Sequence, residues 1–134
     1  MPTSELTHDV VELLRERLHG FEAVEVLLVL HADPRTWRVT EIGDRLSADR
    51  DVVRAALEEL RRGGFVVQEP DGRWRYAPTD AATAAAVTNL VRVYATARFE
   101  VLRQMSENAL ERIRSSAATA FADAFRFGKG RKDG

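Results

Sequence analysis

A chain of 134 residues that is 45% apolar and 31% charged, with a net charge of −1, has material for one ordinary core and a water-facing surface. The absence of cysteine removes disulfides, thiolate metal sites and thiol nucleophiles. The longest mainly apolar stretch, Val24 to Leu30 with Glu25 inside it, falls far short of the roughly 20 residues a membrane span needs.

The N-terminal Met-Pro-Thr-Ser-Glu-Leu lacks a basic region followed by an apolar run, so no secretory leader is expected and the expected location is the cytoplasm. A first helix is expected to start near Ser4 or Thr7, whose hydroxyls suit a helix N-terminus, and to end at Gly20. Leu6, Val10, Leu13, Leu14 and Leu18 recur at three- and four-residue spacing and share one face of it. A second helix, from about Phe21 to His31, is apolar over much of its surface and is expected to be the central buried one. Asp33-Pro34 stops it, because proline disfavours a helical residue before it and donates no backbone bond.

Trp37-Arg38-Val39 is β-prone, and Thr40 stands where an N-cap is expected for a short helix through Ile42 and Leu46. Ser47 closes that helix or caps the next, with Asp49 as the second candidate cap. Val52, Val53, Ala56, Leu57 and Leu60 then form one stripe ending at Gly63-Gly64, a third amphipathic helix with a glycine stop. Phe65-Val66-Val67-Gln68 and Trp74-Arg75-Tyr76-Ala77 flank a Pro-Asp-Gly turn, which is a hairpin signal. Pro78 ends the hairpin, and Thr79 or Asp80 can cap the segment starting at Ala81. From there to Phe125 neither proline nor glycine occurs, so one long helix is expected, or two broken near Ser115-Ser116.

The small net charge hides an asymmetry. Residues 1–80 carry sixteen acids against eleven bases, whereas residues 81–134 carry five against nine. A domain that held nucleic acid by charge alone would be strongly basic, and the first eighty residues are not. Between Asp49 and Arg62 four acids face four arginines.

Thr40-Glu41-Ile42-Gly43-Asp44-Arg45-Leu46, followed by Val53, Leu57, Leu60, Gly64, Phe65 and Val66, resembles the helix-turn-helix and wing entry of MarR- and PadR-type bacterial regulators. The resemblance spans roughly Val24 to Ala77. It implies a mainly α winged helix-turn-helix with a small β-hairpin wing and a long C-terminal helical segment. The chain divides accordingly into an N-terminal helix (1–20), the winged domain (21–78), a C-terminal helix expected to join two copies (79–127) and a basic flexible tail (128–134).

On the third helix Val53, Leu57 and Leu60 must face the core, leaving Asp49, Arg50, Asp51, Arg54, Ala55 and Glu58 outward. Arg50 and Arg54 lie one turn apart, where both can reach guanine edges or phosphates of a major groove. They are the first candidates for DNA contact, unless they pair within the helix with Asp51 or Glu58. Arg73 and Arg75 share one face of the second strand. The resemblance implies a wing contact for Arg73, while Arg75 either joins it or lies along the sheet.

Leu90, Tyr94, Val101, Met105 and Ile113 form an apolar stripe that a partner helix in a homodimer is expected to cover; the other reading folds the stripe onto the chain's own first helix. Phe121 and Phe125, one turn apart beside the basic tail, suit a protein partner's groove. Trp37 and Trp74 read as core rather than as base platforms. His8, His19 and His31 have no metal-binding spacing, and no nucleophile elbow or phosphate-cradling loop occurs, so no metal, cofactor or catalysis is expected. The expected function is regulatory binding of double-stranded DNA. The alternative is a winged-helix protein-interaction module in which acidic domain and basic helix bind complementary partners.

Overall fold

In the computed structural model, which describes residues 6–133 and their side chains as far as residue 125, the chain assembles around its second helix. The elements run α1 (His8–Glu16), α2 (Phe21–Ala32), α3 (Val39–Leu46), α4 (Arg50–Arg62), β1 (Val66–Gln68), β2 (Trp74–Tyr76), α5 (Ala81–Thr96) and α6 (Arg98–Asp133). α2 buries Ala23, Val24, Val26, Leu27 and Leu30, so its residues meet neighbours on several sides. Its broadest contact is with α4, whose inward stripe is Val53, Ala56, Leu57 and Leu60. Val52, expected in that stripe, lies on its edge and is exposed.

α1 ends at Glu16, earlier than the expected stop at Gly20. Leu18 leaves the helix yet stays fully buried, its N–H reaching the Leu13 carbonyl. Gly20 is instead the N-cap residue of α2. The link is held from a distance: the Glu59 carboxylate on α4 accepts hydrogen bonds from the His19 and Gly20 amides at 2.6 and 3.1 Å. That satisfies amides a tight helix-to-helix link would otherwise leave bare.

α3 begins one residue before the expected cap. Arg38 is the N-cap residue and Thr40 falls in the first turn, because Glu41, three residues on from Arg38, accepts the Arg38 amide at 2.7 Å. Ser47 closes α3 in the left-handed conformation (φ 54°), and Asp49 takes the N-cap position of α4. The two helices meet closely at Gly43, where an added Cβ would lie 2.9 Å from the Ala48 carbonyl oxygen. Only a residue without a side chain leaves that turn intact.

β1 and β2 pair antiparallel with Val66 opposite Tyr76 and Gln68 opposite Trp74. The Gly72 amide bonds the Glu69 carbonyl at 2.9 Å and Gly72 takes φ 91°, closing the turn through Pro70 and Asp71. Trp37 adds a third rung by exchanging both backbone bonds with Trp74 (2.7 and 2.8 Å). Both tryptophans are buried, and the Trp37 indole donates to the Asp33 carbonyl at 2.9 Å, so they are core residues.

Asp80 caps α5 by accepting the Thr83 amide at 2.8 Å. The break in the C-terminal segment falls at Ala97, not near Ser115-Ser116. Ala97 leaves helical geometry (φ −141°, ψ 51°), which lets Leu90 and Val93 of α5 and Val101 and Met105 of α6 all reach the shared core against α1. A straight helix would carry the second pair away. α1 is tied down further by Asp9, which accepts the Asn89 amide of α5 at 2.8 Å. Arg17 donates to the Gly63 carbonyl and the Thr83 hydroxyl at 3.0 and 3.1 Å. α6 continues far beyond this body, and every residue from 110 to 125 is exposed. The side chains of the expected basic tail, 128–134, lie outside the described residues.

Candidate nucleic-acid interface

α4 stands with its stripe against α2 and its opposite face in solvent, and the turn at Ser47 holds α3 behind it. Arg50 and Arg54 are both exposed, in the first and second turns. Neither forms an ion pair or hydrogen bond with another described side chain. The intrahelical pairs open to them do not form. Glu58 is taken by Arg61 at 2.6 Å, and Glu59 is turned away to hold the α1–α2 link. Of the four acids between Asp49 and Arg62, the N-cap residue Asp49 and Asp51 are left exposed beside the arginines.

The wing arginines differ. Arg75 is clasped by Glu69 at 2.7 Å, diagonally along the hairpin, so it lies along the sheet. Arg73 meets Asp71 at a looser 3.8 Å. The Asp71 carboxylate also accepts the Arg73 amide at 3.0 Å, which stiffens the turn.

Between wing and α3 lies a group that the sequence pattern did not reveal. Glu41 is held below the ordinary carboxylate value, first by the hydrogen bond from the Arg38 amide and then by the nearby charges of Arg35, Arg38 and Arg73. Arg35 meets that carboxylate at 3.6 Å while pairing with Asp33 at 3.0 Å, and Arg38 and Arg73 lie near enough to favour its charge. Arg35 lies over the Trp37 ring 3.6 Å from its centroid, and Arg45 approaches the same ring at 5.4 Å. Arg35 precedes, and Arg38 lies within, a run read only as a short strand; their signal was an Arg-x-x-Arg spacing just ahead of a helix start.

The residues expected to meet a partner helix divide. Leu90, Val101 and Met105 are buried by the chain's own helices, so they follow the alternative reading of the stripe. Tyr94 is half-buried with its hydroxyl 3.4 Å from Glu25, and Ile113 is 64% exposed. Phe121 and Phe125 stack on one another at 6.5 Å and stay open to solvent. His8 pairs with Glu12, His19 bonds the Arg15 carbonyl, and His31 meets the Tyr76 ring edge-on. Among the described residues no group of histidine and carboxylate side chains is arranged to hold a metal ion. No described helix is long and apolar enough to cross a membrane.

A three-helix unit with a helix-turn-helix, closed by a hairpin that shares a rung with the segment before α3, settles the architecture. The fold is a winged helix-turn-helix. It is similar to the crystal structure of a transcriptional regulator from Thermotoga maritima, with 16% sequence identity and a TM-score of 0.45. That superposition covers 93% of this chain and 84% of the other. No protein-family model matches the winged-helix chain, and no curated protein does.

Proposed function

We propose that this winged-helix protein is a DNA-binding transcriptional regulator that acts as a dimer, with α4 in a major groove and the hairpin against flanking backbone. The observation that carries the reading is the pair Arg50 and Arg54, exposed one turn apart on the projecting helix without a carboxylate partner among the described residues. A buried or paired arginine is already satisfied; an unpaired one keeps all five donors for guanine edges or phosphates. Arg73, only loosely paired with Asp71 at 3.8 Å, offers a second contact from the wing to phosphates of the same duplex.

The outer part of α6 supports the dimer. Leu110, Ile113, Phe121 and Phe125 are exposed along it, more apolar surface than a lone helix ordinarily presents to water. The Asn108 side-chain amide is buried with no acceptor among the described residues, and a second helix can supply one. A two-fold pair of α4 helices would then address two half-sites.

Binding of the full chain to random-sequence duplex DNA across a salt series tests the reading, with sedimentation equilibrium on the same sample. Binding that weakens steeply with salt, by a species of twice the chain mass, is the expected result. Absence of binding at low salt, where non-specific attraction is strongest, would overturn it in favour of a protein-interaction module.

A further inference from the structure

Away from the arginines, α4 borders an open cavity of about 150 Å³ between the start of α2 and the α3–α4 turn. Its floor is apolar, formed by Leu46, Val52 and Val53, and Phe21 stands at its edge. Phe21 and Val52 remain 46% and 39% exposed, so the apolar surface is not closed by the chain itself. At the mouth stand Glu22 and Glu25, three residues apart and therefore on one side of α2. Glu22 has no cationic partner among the described residues, and Glu25 receives only a long bond, 3.4 Å, from the Tyr94 hydroxyl. Arg98, the nearby cation, lies over the Tyr94 ring, 5.4 Å from its centroid, and forms no ion pair with Glu25 among the described residues.

We infer that this cavity is a binding site for a small organic cation, an aromatic or short-alkyl primary amine, with its apolar part on Val52 and Leu46 and its ammonium between Glu22 and Glu25. Three features select this class. The volume matches a single six-membered ring, since an apolar cavity of that order takes up one benzene. Two carboxylates without a resident cation favour a positive ligand and repel an anionic one, through charge-assisted hydrogen bonds at the rim. Phe21, 46% exposed and lining the same cavity, brings an aromatic ring to the ligand, which suits a cation.

The site and the candidate DNA face sit on different flanks of one helix. Val52 is two residues from both Arg50 and Arg54, which at 3.6 residues per turn places it roughly 160° around α4 from each. A ligand there touches the turn that sets the angle of α4 without covering the arginines.

Calorimetric titration of the full chain with benzylammonium tests the site, and it needs no DNA, so its failure leaves the regulator reading standing. The expected result is saturable binding at one site per chain, at least tenfold weaker for benzyl alcohol, which keeps the ring and lacks the charge. The paired variant Glu22→Gln, Glu25→Gln, both at the surface, weakens benzylammonium at least tenfold. Val52→Phe, which fills the cavity from an already exposed position, abolishes binding with the helical circular dichroism unchanged. Absence of saturation, equal affinity for benzyl alcohol, or undiminished binding in the paired glutamine variant would overturn the proposal.

Discussion

Arg50 and Arg54 of α4 and Arg73 and Arg75 of the wing stand in different surroundings. Arg50 and Arg54 face solvent with no described partner, whereas Arg75 is clasped by Glu69 at 2.7 Å and Arg73 lies 3.8 Å from Asp71. A free arginine offers its whole donor set to an incoming phosphate or base; a paired one must first give up a carboxylate or share it. Surface pairs of this kind are worth only about 0.2–1 kcal/mol, so pairing lowers the wing's contribution without cancelling it. Arg75 is as open to solvent as the α4 pair, and it is the local partner that separates them.

The strongest way to break this comparison is to remove the free pair. Arg50→Ala with Arg54→Ala is expected to weaken duplex binding by about 1–3 kcal/mol per arginine if each reaches a base, roughly thirtyfold or more together, as read by fluorescence anisotropy at fixed salt. Both positions are exposed, so the stability of the folded chain should stay within about half a kcal/mol of the native value. Arg73→Ala, at the loosely paired position, is expected to cost less than the α4 pair in the same assay. A loss equal to that of the α4 pair would erase the distinction.

A gain sharpens it further. Glu69→Gln releases Arg75, and duplex affinity should rise by about 0.2–1 kcal/mol, up to roughly fivefold. An unchanged or lower affinity would show that Arg75 plays no part.

The smallest and most diffuse effect is on pH. Asp80 is held below its ordinary value of 3.8 by the Thr83 amide, and Glu41 below 4.5 by the Arg38 amide and neighbouring arginines. Burial works against the Asp9 charge, but hydrogen bonds from Thr7, Asn89 and the Val10 amide outweigh it and lower that group too. A carboxyl lowered on folding adds stability that is complete above its unfolded value and lost as pH falls through the folded one. Chemical denaturation midpoints should therefore be level above about pH 5 and fall steadily below pH 4.5. Asn89→Ala should flatten part of that fall, since it removes one of the bonds holding Asp9 ionised.

Much of the winged domain was legible because its elements obey local rules. Apolar spacing located α2 and α4, the Pro-Asp-Gly turn located the hairpin, and Asp80 was readable as a cap. What escaped depended on groups distant in sequence. Glu59 holding the α1–α2 link from 39 and 40 residues away made Gly20 the start of a helix instead of an end. The break at Ala97 carries neither proline nor glycine; it is imposed by α1, which draws both Leu90 and Met105 inward.

The same difference applies to the candidate site. Arg50, Arg54, Arg73 and Arg75 could be placed on their elements from spacing alone. Which of them was paired depended on side-chain directions that the sequence leaves open. Glu58 chooses Arg61 over Arg54, and Glu59 faces the interior link. The nearness of Arg73 to Glu41 required the hairpin to fold back towards the start of α3.

The most direct test of the central claim, that Arg50 and Arg54 of α4 meet DNA, is the salt dependence of duplex binding for the native chain and for the variant lacking both. Removing one arginine that neutralises a phosphate should reduce the slope of log affinity against log salt by roughly 0.9. With both arginines on phosphates the variant's slope is shallower by nearly two, and with one on a base edge it is shallower by about one and the affinity falls at every salt concentration. Superimposable slopes with unchanged affinity would contradict the account and remove α4 from the interface.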